Sequence, residues 1–167
     1  MKIPFVKILS LKTLLMALSI ASLAACTSMP PPQNPQGVHG VIAITSKHNV
    51  KDTMDRFEAA VKAKDMTIFA RVDHAAGAQR VGKTLRPTQT LIWGNPQAGT
   101  PMLLCTQTVG IDLPQKALVW EDSKGVVYLA WNDPVHLVTN RHETPGCEGV
   151  TNPIAAALRA FAESAAN

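Results

Sequence analysis

A proline-rich segment near the amino terminus limits which part of this chain can fold into a globular domain. Residues 27–37 read TSMPPPQNPQG and hold four prolines in eleven positions. Proline has no backbone N–H and a locked φ, so this segment can form neither a helix nor a central strand. We predict an extended tether that reaches about 30 Å at ~3.1 Å per residue. A single globular domain is therefore expected in residues 38–167, behind a leader in residues 1–25.

The leader has the pattern of a secretory signal peptide. Three lysines and no acidic residue occur in its 25 positions, and a thirteen-residue, mostly apolar run, TLLMALSIASLAA, ends it. A charged start, a short apolar run and small residues at the end are typical of such leaders. The run is shorter than the roughly 20 apolar residues that cross a bilayer as a helix. We therefore expect export from the cytoplasm rather than a membrane span.

The end of the leader, Leu23-Ala24-Ala25-Cys26, resembles the lipoprotein box of bacterial envelope proteins. The resemblance implies cleavage before Cys26, a lipid thioether on its sulfur and acylation of the new amino terminus. Two or more acyl chains anchor a protein stably, whereas one does so only weakly. Thr27, rather than aspartate, follows the cysteine, a pattern that resembles outer-membrane sorting. We expect a lipid-anchored protein of the bacterial cell envelope, on the outer membrane and facing the periplasm.

The positive charge of the chain belongs mostly to the leader. The chain has 16 lysines and arginines and 12 aspartates and glutamates. Removing the three leader lysines leaves 16 − 3 = 13 basic against 12 acidic residues, so the remainder is close to neutral. A nucleic-acid-binding domain would need a basic stripe on its folded part. None is evident, and we do not expect nucleic acid as a partner.

Hydrophobic periodicity after residue 37 alternates between strand and helix. A helix is predicted within residues 46–64, because Val50, Met54, Phe57 and Val61 recur on one helical face. Asp73 is positioned to cap a short helix over residues 74–81. Another short helix is expected to begin at Asp133-Pro134 and to contain both His136 and His142, and a last helix covers residues 154–166. The predicted strands are residues 38–45, 66–73, 88–93, 115–121 and 126–132.

These elements predict an α+β fold, a mostly antiparallel sheet covered by helices in the order strand, helix, four strands, helix. Residues 94–96 form a turn after the third strand, and Thr100-Pro101 matches a helix cap followed by proline at the first helical position. This loop lacks the lysine and spacing of a phosphate-binding loop. It is expected to place a helix against the sheet.

Several short motifs, in order along the chain, resemble the bacterial family called domain of unknown function 302. The resemblance covers roughly residues 38–167 and implies a TATA-binding-protein-like fold and dimers. It does not imply DNA binding, because fold is not function, and it brings no established catalytic residues. Two features depart from the family pattern: Trp93 stands where phenylalanine is usual, and residues 143–150 look lengthened. The motifs are residues 73–76 (DHAA), 85–88 (LRPT), 94–96 (GNP), 99–101 (GTP), 111–114 (IDLP) and 120–122 (WED).

Polar residues in these motifs form the best candidate ligand site. One interpretation is a pocket for a small polar or anionic group. The other is structural, with Asp73 and Asp112 in caps or turns and Arg86 in an ion pair, as is usual for charged residues near turns. The candidate ligand-binding residues are Asp73, His74, Arg86, Asn95, Thr100 and Asp112.

Two cysteines remain after lipidation of Cys26. In an oxidising compartment Cys105 and Cys147 can form a disulfide. The alternative is a buried thiol at Cys105 and a free thiol at Cys147. His136 and His142 are six apart and would lie on different faces of a helix, and no HExxH or CxxC motif occurs, so no metal or other cofactor is expected.

The combined interpretation is a membrane-anchored periplasmic lipoprotein, expected to be a homodimer, whose domain is a binding or accessory module for a small ligand or a partner protein. No catalytic residues are assigned. The alternatives are a small-substrate enzyme that uses Asp73, His74 and Arg86, and a metal or haem binder. Trp93, Trp120 and Trp131 all fall in predicted strands and would fill the core, a dimer face or an aromatic-lined cavity.

Overall fold

The computed structural model describes residues 38–167; the predicted leader and tether, with Cys26, lie outside the described residues. Five strands form one antiparallel sheet in the order β1-β5-β4-β3-β2. The predicted α+β class and element order are confirmed. The strands are β1 (Val41–Ser46), β2 (Thr67–Asp73), β3 (Thr88–Gly94), β4 (Gln115–Glu121) and β5 (Val127–Asn132). The main helices are α1 (Val50–Lys62), α2 (His74–Arg80), α3 (Pro96–Cys105), α4 (Pro134–His136) and α5 (Glu148–Ala166).

The main hydrophobic core lies between one face of the sheet and the helices α1 and α5. The predicted stripe of α1 is buried in full, at Val50, Met54, Phe57 and Val61. Phe57 packs edge to face on Trp93 of β3, with ring centroids 5.0 Å apart. Such a pair adds about 0.5–1.5 kcal/mol to the burial of the two rings. The core therefore holds the Trp93 ring in place on the side that faces Phe57.

The apolar stripe of α5 contributes to the same core, as predicted. Leu158 and Phe161 are buried there, and Ile154 packs against them from the edge. Near the start of α5 a second, smaller cluster joins Met102 of α3 to Val109 and Val138. Val109 lies in a 3-10 helix (Gln107–Ile111) and Val138 in a π-helical turn (Leu137–Arg141). This second cluster holds α3 beside α5.

The start of α3 differs from the prediction. The helix begins at Pro96, five residues before the predicted Pro101, because the Asn95 side chain accepts a hydrogen bond from the backbone N–H of Gln97 at 2.8 Å. Asn95-Pro96 thus forms the cap-and-proline start expected at Thr100-Pro101. Pro101 lies inside the helix, where it removes one backbone donor.

Three other boundaries were also predicted wrongly. The last helix begins at Glu148 rather than 154, since Gly146 turns the chain at φ +89° directly before Cys147. His39 precedes β1 in a turn instead of lying in a strand. His142 lies at the end of the π-helical turn, and α4 ends at His136.

The register defines two ends of the sheet. At one end, β3 finishes beside the start of β4, where Trp93 pairs with Gln115; we call this the Trp93 end. β1 also begins at this end, because Val41 pairs with Asn132. At the opposite end Asp73 pairs with Gln89 and α2 follows β2. Any site built from loops must belong to one of these two ends.

Candidate functional site

An apolar cavity of about 410 Å³ opens at the Trp93 end of the sheet. Trp93 forms part of its sheet wall, α3 contributes residues from Pro96 to Leu103, and α5 contributes residues from Ile154 to Phe161. None of the residues between 38 and 167 that line it has a charged side chain. The volume lies within the roughly 300–1,000 Å³ of small-molecule sites, which are mostly apolar with a few placed polar groups. The site can therefore enclose a small, mainly apolar molecule.

Gln115 is the buried polar side chain in this lining. It is only 9% exposed, and its amide nitrogen Nε2 makes no hydrogen bond within residues 38–167. A buried donor left unpaired costs about 1–3 kcal/mol. This nitrogen is itself covered, so the amide must turn toward the cavity before it donates to an acceptor atom of a bound molecule.

Trp131 carries a second unpaired donor close to Gln115. Its indole Nε1 is buried and has no partner in the described part of the chain. Ala117 pairs with Trp131 across β4 and β5, so Gln115, two positions before Ala117, is its diagonal neighbour on the same face. Trp131 is not among the described residues that line the cavity, so Gln115 is the one of these two that brings a buried unpaired donor to its wall.

Two of the predicted ligand residues, Asn95 and Thr100, line this cavity. Asn95 already uses its side-chain oxygen to cap α3, and its backbone carbonyl accepts from the N–H groups of Ala98 and Gly99. Asn95 therefore shapes the cavity wall. Thr100 is exposed.

A disulfide joins the two helices that form the cavity wall. Cys105 ends α3 and Cys147 directly precedes α5, and their Cα atoms are 6.3 Å apart. Of the two alternatives considered for these cysteines, the structure contains the bridge. The bond restrains the separation of α3 and α5, and with it the width of the cavity.

Asp112 belongs to a polar network beside the cavity. Its carboxylate is hydrogen-bonded to His142 Nε2 at 2.7 Å and forms an ion pair with Arg141, whose Nε is 3.0 Å away. His142 Nδ1 is 2.8 Å from the Thr108 hydroxyl. These contacts tie the 3-10 helix to the end of the π-helical turn. Because Leu113, the next residue, lines the cavity, the network positions part of its wall.

Asp73, His74 and Arg86 lie at the opposite end of the sheet and do not join Asp112. Asp73 caps α2 by accepting from the N–H of Ala76 at 2.8 Å. His74 Nε2 contacts the Thr90 hydroxyl at 2.9 Å on an exposed surface. Arg86 forms no ion pair with any residue between 38 and 167. The six predicted residues are thus divided among three places.

Sequence reasoning missed Gln115, although a glutamine opening a strand of alternating apolar residues is an available signal. It also missed His142 as the partner of Asp112, which lies 30 positions away and carries no local signal. Within residues 38–167 no group of three or more His, Cys, Asp or Glu side chains could hold a metal ion. No helix of that part of the chain has the length and apolar character to cross a membrane.

The model of the family "Domain of unknown function DUF302" matches residues 42–164. The chain belongs to the DUF302 family. A crystal structure of an uncharacterised DUF302 protein from Bacillus stearothermophilus has the same fold, with a TM-score of 0.68 over 77% of this chain and 99% of that chain, at 19% identity. At this identity the likeness concerns the fold alone.

Curated relatives match over 103 residues at 46% identity. They are proteins named fluoride-specific ion channel FluC 1 from Brucella suis and from Brucella abortus. The match covers 62% of this chain but only 40% and 38% of those proteins. The chain therefore spans about two fifths of the length of these relatives.

Proposed function

We propose that this chain is a lipid-anchored protein of the bacterial cell envelope whose DUF302 domain binds a small, mostly apolar molecule with a hydrogen-bond acceptor. The main support for ligand binding is the cavity of about 410 Å³ with the unpaired amide of Gln115 in its lining. The anchor at Cys26 rests on the leader sequence. Dimerisation rests on the family resemblance.

The chemistry of the lining supports this ligand class. A ligand gains about 25 cal/mol for each Å² of apolar surface that leaves water, and the apolar walls offer such burial. The unpaired Gln115 donor adds preference for a molecule with one oxygen acceptor over a pure hydrocarbon, since an acceptor removes the desolvation cost of this group. A charged group would find no counter-charge among the described residues of this lining.

Native mass spectrometry of the chain from residue 26 onward, with Cys26→Ser and secreted to a periplasm, tests both ligand and dimer. Extra mass that is lost on denaturation would support a bound molecule, and a doubled mass would support the dimer. The neutral, apolar dye Nile red then probes the emptied protein. Ala157→Phe, which fills the cavity, should abolish dye binding, whereas Ala156→Phe on the exposed face of α5 should preserve it. Equal binding by both variants would contradict the proposal.

The anchor has a separate test in cells that express the full chain. Labelled palmitate should be incorporated into the wild-type protein, which should fractionate with membranes. The Cys26→Ser variant should carry no label. Equal labelling of both would show that Cys26 is not the lipidated residue.

A second candidate is an accessory role beside a membrane channel. This role is favoured by the 46% identity to part of proteins named fluoride-specific ion channels. In those proteins a segment similar to this domain is part of a longer chain. Cells that lack this chain should then become more sensitive to fluoride. Restoration by the wild-type chain but not by Cys26→Ser would support a membrane-bound accessory role, and unchanged sensitivity would remove it.

A further inference from the structure

Exposed apolar side chains occur among the residues that line the cavity and directly next to them in the chain. Phe69 and Leu103 line the cavity and are still 58% and 36% exposed. Leu104, next to Leu103, is 83% exposed, and Ile111, next to the lining residue Gly110, is 77% exposed. We call these four residues the apolar rim. Large apolar groups clustered around an apolar opening are typical of a surface that meets a membrane or another apolar partner.

The chain enters the domain at the same end of the sheet. Residues 38–40 lead into β1, whose first residue, Val41, pairs with Asn132 at the Trp93 end. The predicted tether of residues 27–37 reaches only about 30 Å. A lipid on Cys26 would therefore hold a bilayer within reach of the end that carries the rim and the cavity.

We propose that the apolar rim docks on the lipid bilayer and that the cavity takes the acyl chain of a membrane lipid. This inference rests on the proposed function and names the ligand class of the same cavity. The described residues of the lining include no charged side chain, which fits an acyl chain that enters while the charged headgroup of its lipid stays at the interface. Gln115 lies at the start of β4, at the end where the rim lies, and donates to a carbonyl oxygen of the lipid.

A bilayer fits these observations better than a protein partner. Leu104 and Ile111 belong to α3 and to the following 3-10 helix, so two elements that carry lining residues also expose apolar side chains. Interfacial membrane binding scales with the apolar area that is inserted. The lipid anchor supplies the second signal that stable attachment needs.

The experiment uses the chain from residue 26 onward with Cys26→Ser and vesicles of dioleoylphosphatidylcholine. Flotation measures docking. The rim variant Leu104→Gln/Ile111→Gln should bind vesicles about tenfold more weakly or worse, because two apolar insertions are lost. The matched control is Val81→Gln/Leu85→Gln. Val81 and Leu85 are also exposed apolar residues, 71% and 40%, but lie near the opposite end of the sheet, and this control should bind normally.

Acyl-chain entry is measured with vesicles whose chains carry bromine, which quenches tryptophan at short range. Trp93 is buried in the cavity wall, so its fluorescence should be quenched by brominated but not by ordinary lipid. The quenching should disappear in Trp93→Phe and in Ala157→Phe, and it should persist in Ala156→Phe. Urea unfolding of each variant confirms that the fold is retained.

Absence of flotation, or equal loss of flotation in the rim variant and its control, would overturn the docking. Flotation without quenching of Trp93 would overturn the acyl chain as ligand. In either case, dye binding in solution tests separately whether the cavity binds a small apolar molecule. Dye binding that is lost in Ala157→Phe keeps that function, and dye binding that Ala157→Phe leaves unchanged removes it.

Discussion

Trp93 and Gln115 lie directly opposite each other on β3 and β4, and both line the cavity. One contributes a large apolar ring, held from the core side by Phe57. The other contributes an amide nitrogen without a hydrogen-bond partner among residues 38–167. A mostly apolar cavity wall with a buried unpaired donor is costly for folding alone and useful for binding.

Gln115→Leu should therefore raise stability and weaken binding. Replacing the unpaired amide by an apolar side chain removes a desolvation cost, so we expect an unfolding free energy higher by about 1 kcal/mol. Ligands with a carbonyl oxygen should bind more weakly, because their acceptor loses its donor. Urea unfolding and a binding titration measure the two effects.

Gln89→Leu on β3 is the matched control. The Gln89 side-chain oxygen accepts from Arg71 Nε at 3.1 Å and from Nη2 at 2.7 Å. Replacing Gln89 removes its two hydrogen bonds with Arg71 and should lower the free energy of unfolding. If both variants changed stability in the same direction, the unpaired state of Gln115 would not explain its effect.

Reduction of the Cys105–Cys147 disulfide should destabilise the domain and loosen the cavity. The bond closes a loop with a sequence separation of 42, and chain-entropy reasoning assigns such a loop about 2–4 kcal/mol. Thermal unfolding with and without dithiothreitol should show a lower Tm in reductant. In Cys105→Ser/Cys147→Ser the reductant should have no effect. A reductant-independent Tm in the wild-type protein would mean that the bond does not stabilise the fold.

Gly40→Ala should be more destabilising than Gly125→Ala. Both glycines have positive φ, +76° and +78°, so both substitutions carry a backbone cost of about 1–2 kcal/mol. A Cβ on Gly40 would also overlap the ring of His136, whereas a Cβ on Gly125 meets nothing within 4 Å. We expect about 1–3 kcal/mol more for Gly40→Ala, measured by urea unfolding. Equal costs would mean that His136 moves aside freely.

Arg71→Gln should cost about 0.5–1 kcal/mol at neutral pH, because Arg71 forms ion pairs with both Asp55 and Glu58 on the protein surface. Hydrogen bonds from Lys51 and then Arg71 hold the pKa of Asp55 below its ordinary 3.8. A hydrogen bond from Lys62, with Arg71 contributing less, holds the pKa of Glu58 below its ordinary 4.5.

The sign of the pH dependence follows from these depressed values. The unfolded carboxylates bind protons first as the pH falls, so their stabilising contribution is complete above their ordinary pKa values and is lost below them. The difference between wild type and Arg71→Gln should therefore shrink as the pH falls through 4.5 and 3.8. Urea unfolding over this range measures it. A difference that grows in acid would contradict the ion pairs.

The main elements follow from local pattern, since burial of one helix face requires the spacing seen at Val50, Met54, Phe57 and Val61. Helix starts are less well determined. Asn95-Pro96 and Thr100-Pro101 carry the same cap-and-proline signal, and the packing of Met102 against Val109 and Val138 accompanies the earlier start. The capping role of Asp73 is equally local and was predictable.

Hydrophobic periodicity, prolines and caps were enough to define the α+β class and the element order. They act over a few residues, and their information is present in any short window of the sequence. The cavity, the neighbours Gln115 and Trp131, the contact of His142 with Asp112 and the Cys105–Cys147 bond all join residues far apart in the chain. Sheet register and helix packing decide such contacts, because only the closed core sets which distant side chains share one end of the sheet.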